Sequence, residues 1–238
     1  MKTAVVIFPG SNCDRDVICA VRETLGREVI PLWHRETALP AGTDLVILPG
    51  GFSFGDYLRS GAMAARSPVM EAVVAHGKKG GLLLGICNGF QVLTESRLLP
   101  GALLPNDSLA FHCSPCHLRV ERTDTPFTNS FTPRQIVQFP IAHGDGRYFL
   151  FPDELRALED RSGVVFRYST PSGEISAEAN PNGSVNNIAG IISEGGNILG
   201  LMPHPERVSE SILGGEDGRI FWKSILSFFE KGGKGNGL

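Results

Sequence analysis

Three stretches limit the fold of this chain more than any others. "TAVVIF" (residues 3–8), "TDLVILPGG" (43–51) and "GLLLGI" (81–86) are short apolar runs, each leading into a turn marked by glycine or proline. Amphipathic, helix-like stretches alternate with them: "DRDVICAVRETLG" (14–26), a segment around 58–76, and Asn88 to about Glu95. A further run, "EVIPLW" (28–33), also reads as a strand. Strands apolar on both faces and alternating with helices predict a parallel sheet covered on both sides. In such sheets ligands gather at the carboxyl ends of the strands. Three loops meet that description: Pro9–Asn12, Gly50–Asp56 and the turn at Cys87.

The second half is richer in extended segments. Residues 109–122, 135–149, 163–169, 187–193 and 197–206 all read as strands, and 216–231 as a closing amphipathic helix. There is no linker and no internal repeat. The chain therefore reads as one α/β domain over 1–231, with a central sheet, an antiparallel extension and a flexible tail at 232–238. With 42% hydrophobic residues in 238 there is ample material for a core. A formal charge of −3 leaves no electrostatic footprint for nucleic acid or an anionic membrane. Five cysteines, an odd number, with no secretory pattern at the start point to reduced thiols and the cytoplasm.

Within "GGLLLGICNGFQVL" (80–93) a cysteine stands between glycines where a strand turns into a helix. Gly85-x-Cys87-x-Gly89 has the frame of a nucleophile elbow, in which a sharp turn demands neighbours without bulk. The helix that follows favours a thiolate, and the N–H of Asn88 becomes an oxyanion donor. A core cysteine beside a capping glycine is the bland alternative. A thiol nucleophile needs a base and the base an orienter. His204, in "MPHPE", is flanked by prolines that favour extended backbone, so His204 and Glu206 face one way. A polar loop with a surface ion pair is the alternative there. Gly51, in the glycine-rich "LPGGFSFGD", can offer a second oxyanion N–H, although such a loop could simply be flexible.

"GICNGFQ" together with "MPHPE" resembles the class I, or triad, glutamine amidotransferases. "FPGSNCDRDV", "GGFSFGDYLRSGAMA", "LLPGALLPN", "IAHGDGRY" and "NPNGSVNNIAGI" narrow the resemblance to the glutaminase subunits of phosphoribosylformylglycinamidine synthases, from residue 5 to about 207. It implies a flavodoxin-like three-layer sandwich and a Cys87–His204–Glu206 triad that releases ammonia from glutamine. It also implies glutamine contacts by Gln91, one helical turn beyond Cys87, and by the turn Gly144, Asp145 and Gly146. That turn could equally be only a link between strands. A separate synthetase subunit and a small bridging subunit are implied as partners. No strand precedes a G-x-x-x-x-G-K-[ST] loop, so ATP and magnesium are expected on the synthetase, with no cofactor and no metal in this chain. Competing readings are a glutaminase of another pathway, or a flavodoxin-like binding protein in which Cys87 senses redox state.

Other motifs read as structural. "CSPCH" (113–117) matches a haem-attachment pattern, but without an export signal it reads as part of a strand, with Cys116 a small packing residue. "PGSNCD" (9–14) reads as a turn and helix cap in preference to a phosphate cradle. Cys13 is expected to be partly exposed and without a base, and Arg59-Ser60 to be solvated surface.

Overall fold

A computed structural model describes residues 1–233. In chain order the elements are β1 (Thr3–Ile7), α1 (Asp14–Leu25), β2 (Val29–Trp33), β3 (Leu45–Leu48), α2 (Val69–Lys78), β4 (Leu82–Ile86), α3 (Asn88–Glu95), β5 (Ala102–Leu104), β6 (His112–Val120), β7 (Ile136–His143), β8 (Arg147–Phe149), α4 (Pro152–Asp160), β9 (Val164–Ser169), β10 (Ile188–Ile192), β11 (Ile198–Leu201) and α5 (Asp217–Glu230). Nine strands form one sheet in the order β2-β1-β3-β4-β11-β10-β9-β6-β7. The first five run parallel to one another, and from β11 onward each further strand is antiparallel to the one before it.

The parallel half is built from the apolar runs. β3 and β4 are buried at every residue, which is why neither shows a polar face. From β1 the chain crosses to β2 on one side, and from β3 to β4 on the other. Right-handed crossovers in opposite directions put α1 and α2 on opposite faces of the sheet. α3 joins α2: Leu83 packs against Gly77 of α2, and Gly85, two residues on and so on the same face, packs against Gly89 of α3. The direction reverses between β1 and β3, and the loops leaving their carboxyl ends are tied by a bridge between Ser11 and Gly51.

Several boundaries differ from expectation. Leu58 to Met63 form turns, and the helix begins only after Pro68, whose ring cannot continue a preceding helical turn. The run 135–149 breaks at Gly144–Gly146, and β8 leaves the main sheet to pair with β5. The helix α4 was not expected, although Pro152 at its start and Asp153 and Glu154 in its first turn are standard helix-opening signals. Of the expected tail, Gly232 and Gly233 cap α5 by donating to the carbonyls of Phe229 and Phe228, and 234–238 lie outside the described residues. Among the described residues no helix is long and apolar enough to cross a membrane.

Candidate active site

Cys87 is the residue between β4 and α3, with φ 51° and ψ −106°. A non-glycine residue with positive φ is strained by about 1–3 kcal/mol and persists only where its surroundings enforce it. They do so here. A Cβ on Gly85 would stand 2.6 Å from the Gly89 carbonyl oxygen, and one on Gly89 would overlap the Leu48 carbonyl. Both glycines of the frame are therefore sterically required. The Cys87 N–H donates to the Leu201 carbonyl at 2.8 Å, and its own carbonyl accepts from Phe90 and Gln91. Asn88 is the first residue of α3, so its N–H has no acceptor within the helix.

Leu201 ends β11, which runs parallel to β4 with Leu201 opposite Ile86. The chain leaving β11 therefore emerges beside Cys87. His204 is extended, at φ −107° and ψ 91°, and its N–H donates to Pro140 of β7 at 2.8 Å. Glu206 reaches it by a different route from the one expected: Pro205 opens a 3-10 turn over Pro205–Val208, which folds the carboxylate back instead of extending it. His204 Nδ1 donates to Glu206 Oε1 at 2.6 Å, with the two residues 1% and 2% exposed, so this is no surface ion pair. Burial disfavours the imidazolium more than any other single influence. Glu206, with Cys87 and Cys13, outweighs it and holds His204 well above the usual histidine range.

The thiol and the base are neighbours, close enough for Cys87 to favour the imidazolium, but no well-aligned hydrogen bond joins them. Cys87 Sγ faces the Ala142 carbonyl at 3.7 Å, and His204 Nε2 is buried without a partner among the described residues. A cavity of about 190 Å³ lies alongside, lined by Gly51, Phe52, Phe111, Ala142, His204 and Arg207, with Asn12 and Cys13. Gly51, at φ 137°, sits on its wall, and its N–H donates to no acceptor among the described residues. Gly50 makes the closer approach: a Cβ there would fall 2.7 Å from His204 Cε1 and 3.4 Å from Cys87 Cβ.

The expected glutamine contacts are knitted into one network. Asn88 Oδ1 accepts from the Ser53 N–H, while its amide donates to Gln91 Oε1 at 2.8 Å and to Asp56 Oδ1 at 3.3 Å. Gln91 Nε2 donates to the Asp145 carbonyl at 2.7 Å, and Ser60 Oγ to Asp145 Oδ2 at 2.6 Å. Ser60 is thus buried, contrary to the expected solvated surface, because it fastens its loop to the β7–β8 turn. Gly146 is committed to the fold: its N–H donates to Asn106 Oδ1 and its carbonyl accepts from Asn182 Nδ2. The Gly144 carbonyl accepts from the Asn106 N–H. In this turn it is Asp145 whose carboxylate and carbonyl bond to Ser60 and Gln91 of the site network. His143, the other histidine near the site, is buried, and that burial with the nearby His204 lowers it to about 4, so it stays neutral.

Asp56 has the opposite problem. Partial burial, then the facing Asp145 carboxylate, raise it from 3.8 to about 6. The folded state therefore holds this proton more tightly than the unfolded chain. The resulting stabilisation is complete below pH 3.8 and is lost as pH rises through about 6. The shift corresponds to at most about 3 kcal/mol, and to about 1 kcal/mol once screening of this half-exposed group is allowed for. Asp56→Asn is expected to melt higher than the parent at pH 8 and alike at pH 4. Thermal unfolding across that range checks it, and a gap independent of pH would remove the carboxylate as the cause.

Cys13 departs most from expectation. It is 1% exposed, and its Sγ accepts from Arg207 Nη2 at 2.9 Å. A signal was available: it directly follows Pro9–Asn12, one of the three loops at the strand ends, in a stretch read only as a turn and helix cap. Cys113 and Cys116 lie on β6 three residues apart and so on opposite faces. Cys113 is exposed, whereas Cys116 is buried and donates to the Phe139 carbonyl, with burial pushing its thiol far above the usual range.

Residues 1–219 match the family model described as the CobB/CobQ-like glutamine amidotransferase domain. The chain is 53% identical over 232 residues to the phosphoribosylformylglycinamidine synthase subunit PurQ of Moorella thermoacetica, covering 98% of each. It is 54% identical over 227 residues to the subunit of the same name from Gloeobacter violaceus, covering 95% of this chain and 97% of the relative. Among solved structures, a chain of PurLQS from Thermotoga maritima superposes with a TM-score of 0.83 at 43% identity, covering 96% of this chain and 98% of that one.

Proposed function

Because this chain belongs to the CobB/CobQ-like glutamine amidotransferases, among the PurQ subunits of phosphoribosylformylglycinamidine synthase, we propose that Cys87, His204 and Glu206 carry out its glutaminase reaction. The observation that carries the assignment is the convergence of two adjacent parallel strands. β4 presents a strained cysteine, and β11 delivers a buried histidine–glutamate pair beside it.

Glutamine enters the cavity beside Gly51 and His204. His204 Nε2 takes the Cys87 proton, and the thiolate attacks the side-chain amide carbon. The oxyanion is met by the N–H groups of Asn88 and Gly51. The imidazolium, stabilised by Glu206, gives its proton to the departing nitrogen, and ammonia leaves. Water, deprotonated by His204, then hydrolyses the glutamyl thioester to glutamate and regenerates the thiol. Gln91 and Asp145 border the substrate from the far side of Cys87, in keeping with their shared network.

The ammonia serves a synthetase subunit, which in this reading holds ATP and magnesium, and a small third subunit bridges the two. The same reading puts the chain in the cytoplasm, with support from its five free cysteines. The test is a glutamine-analogue electrophile followed by peptide mapping. One label per chain is expected on Cys87, blocked by excess glutamine. A label on Cys13, or an inert Cys87 in a yellow flavin-bearing protein, would overturn the triad.

A further inference from the structure

We propose that Asn106, His143 and Asn182 are positioning residues for the substrate: together they set the shape of the Gly144–Gly146 turn that receives the amino-acid end of glutamine, and so govern how tightly that end is bound. The inference rests on Cys87 being the glutaminase nucleophile and adds to it the interior residues that hold the substrate turn.

The three residues come from separate segments. Asn106 follows β5 and closes "LLPGALLPN", His143 ends β7 within "IAHGDGRY", and Asn182 precedes β10 within "NPNGSVNNIAGI". All three are buried, Asn106 and Asn182 completely. A polar cluster in the interior is costly unless its bonds are made, and once they are made it rigidifies what it holds.

What it holds here is the turn. The Asn106 N–H donates to the Gly144 carbonyl at 2.8 Å, and its Nδ2 donates to the His143 carbonyl at 2.9 Å. Its Oδ1 accepts from the Gly146 N–H at 3.0 Å and from His143 Nδ1 at 3.1 Å. Asn182 Nδ2 donates to the Gly146 carbonyl at 2.9 Å and faces His143 Nε2 at 3.4 Å, while its Oδ1 accepts from Ser184. These directions select one tautomer. Nδ1 of His143 carries the proton given to Asn106, and Nε2 turns its lone pair to Asn182. Burial and the nearby His204 keep the ring neutral, as this arrangement requires.

With these bonds made, the N–H groups of Gly144 and Asp145 are left without an acceptor among the described residues. Two successive free N–H groups suit a carboxylate, such as the one at the amino-acid end of glutamine. They stand beside the nucleophile. Cys87 Sγ faces the Ala142 carbonyl, Gln91 Nε2 donates to the Asp145 carbonyl, and a Cβ on Gly144 would meet only Phe111 of the cavity wall, at 3.8 Å. A turn already fixed in the binding geometry need not be ordered when substrate arrives, and affinity gains accordingly.

Two electrophiles that alkylate thiols test this on the full-length protein. 6-Diazo-5-oxonorleucine carries the amino-acid end of glutamine, and iodoacetamide does not. Asn106→Asp replaces the Nδ2 donor by an oxygen facing the His143 and Ala110 carbonyls, and His143→Leu removes the bond to Asn106. Both variants are expected to slow diazo labelling of Cys87 by about ten- to a hundredfold, the worth of a hydrogen bond to a charged group. Iodoacetamide labelling should be unchanged. KM for glutamine should rise by the same factor with kcat kept within about threefold, the pattern of lost uniform binding. His143→Asn, whose amide can still donate to Asn106 Oδ1, should restore most of the diazo labelling. Rates are taken well below each variant's melting midpoint, and comparing two reagents on one thiol cancels any loss of folded protein. Equal slowing of both reagents, slowing of neither, a fall in kcat at unchanged KM, or His143→Asn as impaired as His143→Leu would overturn the proposal. Parent protein whose Cys87 takes iodoacetamide but never the diazo compound would remove Cys87 as the glutaminase nucleophile, and this proposal with it.

Discussion

Cys87→Ala is expected to lower glutamine hydrolysis by up to about a millionfold while the protein keeps its melting temperature to within a few degrees. Members of a catalytic triad act as a unit, so losing the nucleophile alone forfeits almost all that the triad contributes. The fold should tolerate the change. The strain at φ 51° is imposed by Gly85 and Gly89 rather than by the thiol, and alanine accepts the same backbone at similar cost. Glu206→Gln should be milder, at about ten-thousandfold or less, because in the proposed mechanism Glu206 only orients His204 and stabilises its cation. Steady-state ammonia release by both variants, with a melt of each, decides the matter. Near-normal turnover in Cys87→Ala would end the assignment.

Turnover by the isolated chain is expected to be about a hundred- to a thousandfold below that of the chain docked on its synthetase with substrate and nucleotide bound. That range is the worth of one oxyanion donor. The resting geometry supports this. The Cys87 thiol faces the Ala142 carbonyl, and His204 Nε2 has no well-aligned partner among the described residues. The loop beyond Gly51 carries positive φ at Phe54, Asp56 and Leu58, each a strain that docking could release. Phe52, Tyr57 and Leu58 on the same loop are exposed, which leaves an apolar surface for a partner beside the site. Gly51 adjoins Phe52 in this loop, and Ser53 ties the loop to Asn88 at the start of α3, so a shift on docking that loosens this bond would reach both oxyanion donors. Glutaminase rates with and without the synthetase test the idea. Equal rates would refute gating and leave the triad in place.

Much of this could be read along the chain because the relevant physics is local. An apolar run too short for a helix and bounded by glycine reads as a buried strand wherever it lies, so β1, β3 and β4 were legible. A cysteine framed by Gly85 and Gly89 carries its steric argument within five residues. Prolines on both sides of His204 hold the backbone extended before Glu206, and the pairing of those two residues was visible even though the 3-10 turn that achieves it was not. A turn hidden inside an extended-looking run is harder, since Gly144–Gly146 matters only through the partner β8 finds in β5.

What the sequence by itself determined was the list of reactive groups and the kind of sheet that would hold them. Only the tertiary structure decided which groups meet. Leu201 lies beside Ile86 because β11 happens to be the parallel neighbour of β4, and no local pattern specifies that adjacency across more than a hundred residues. The same holds for Cys13, whose surroundings come from the ends of β1, β3 and β11 at once. Ser60 and Asp145, 85 residues apart, are joined by a bond that neither segment announces. Secondary structure follows from the shape and polarity of neighbouring residues. Strand order and the burial of a polar side chain follow from packing the whole sheet, where the free energy of each contact depends on every other element being in place.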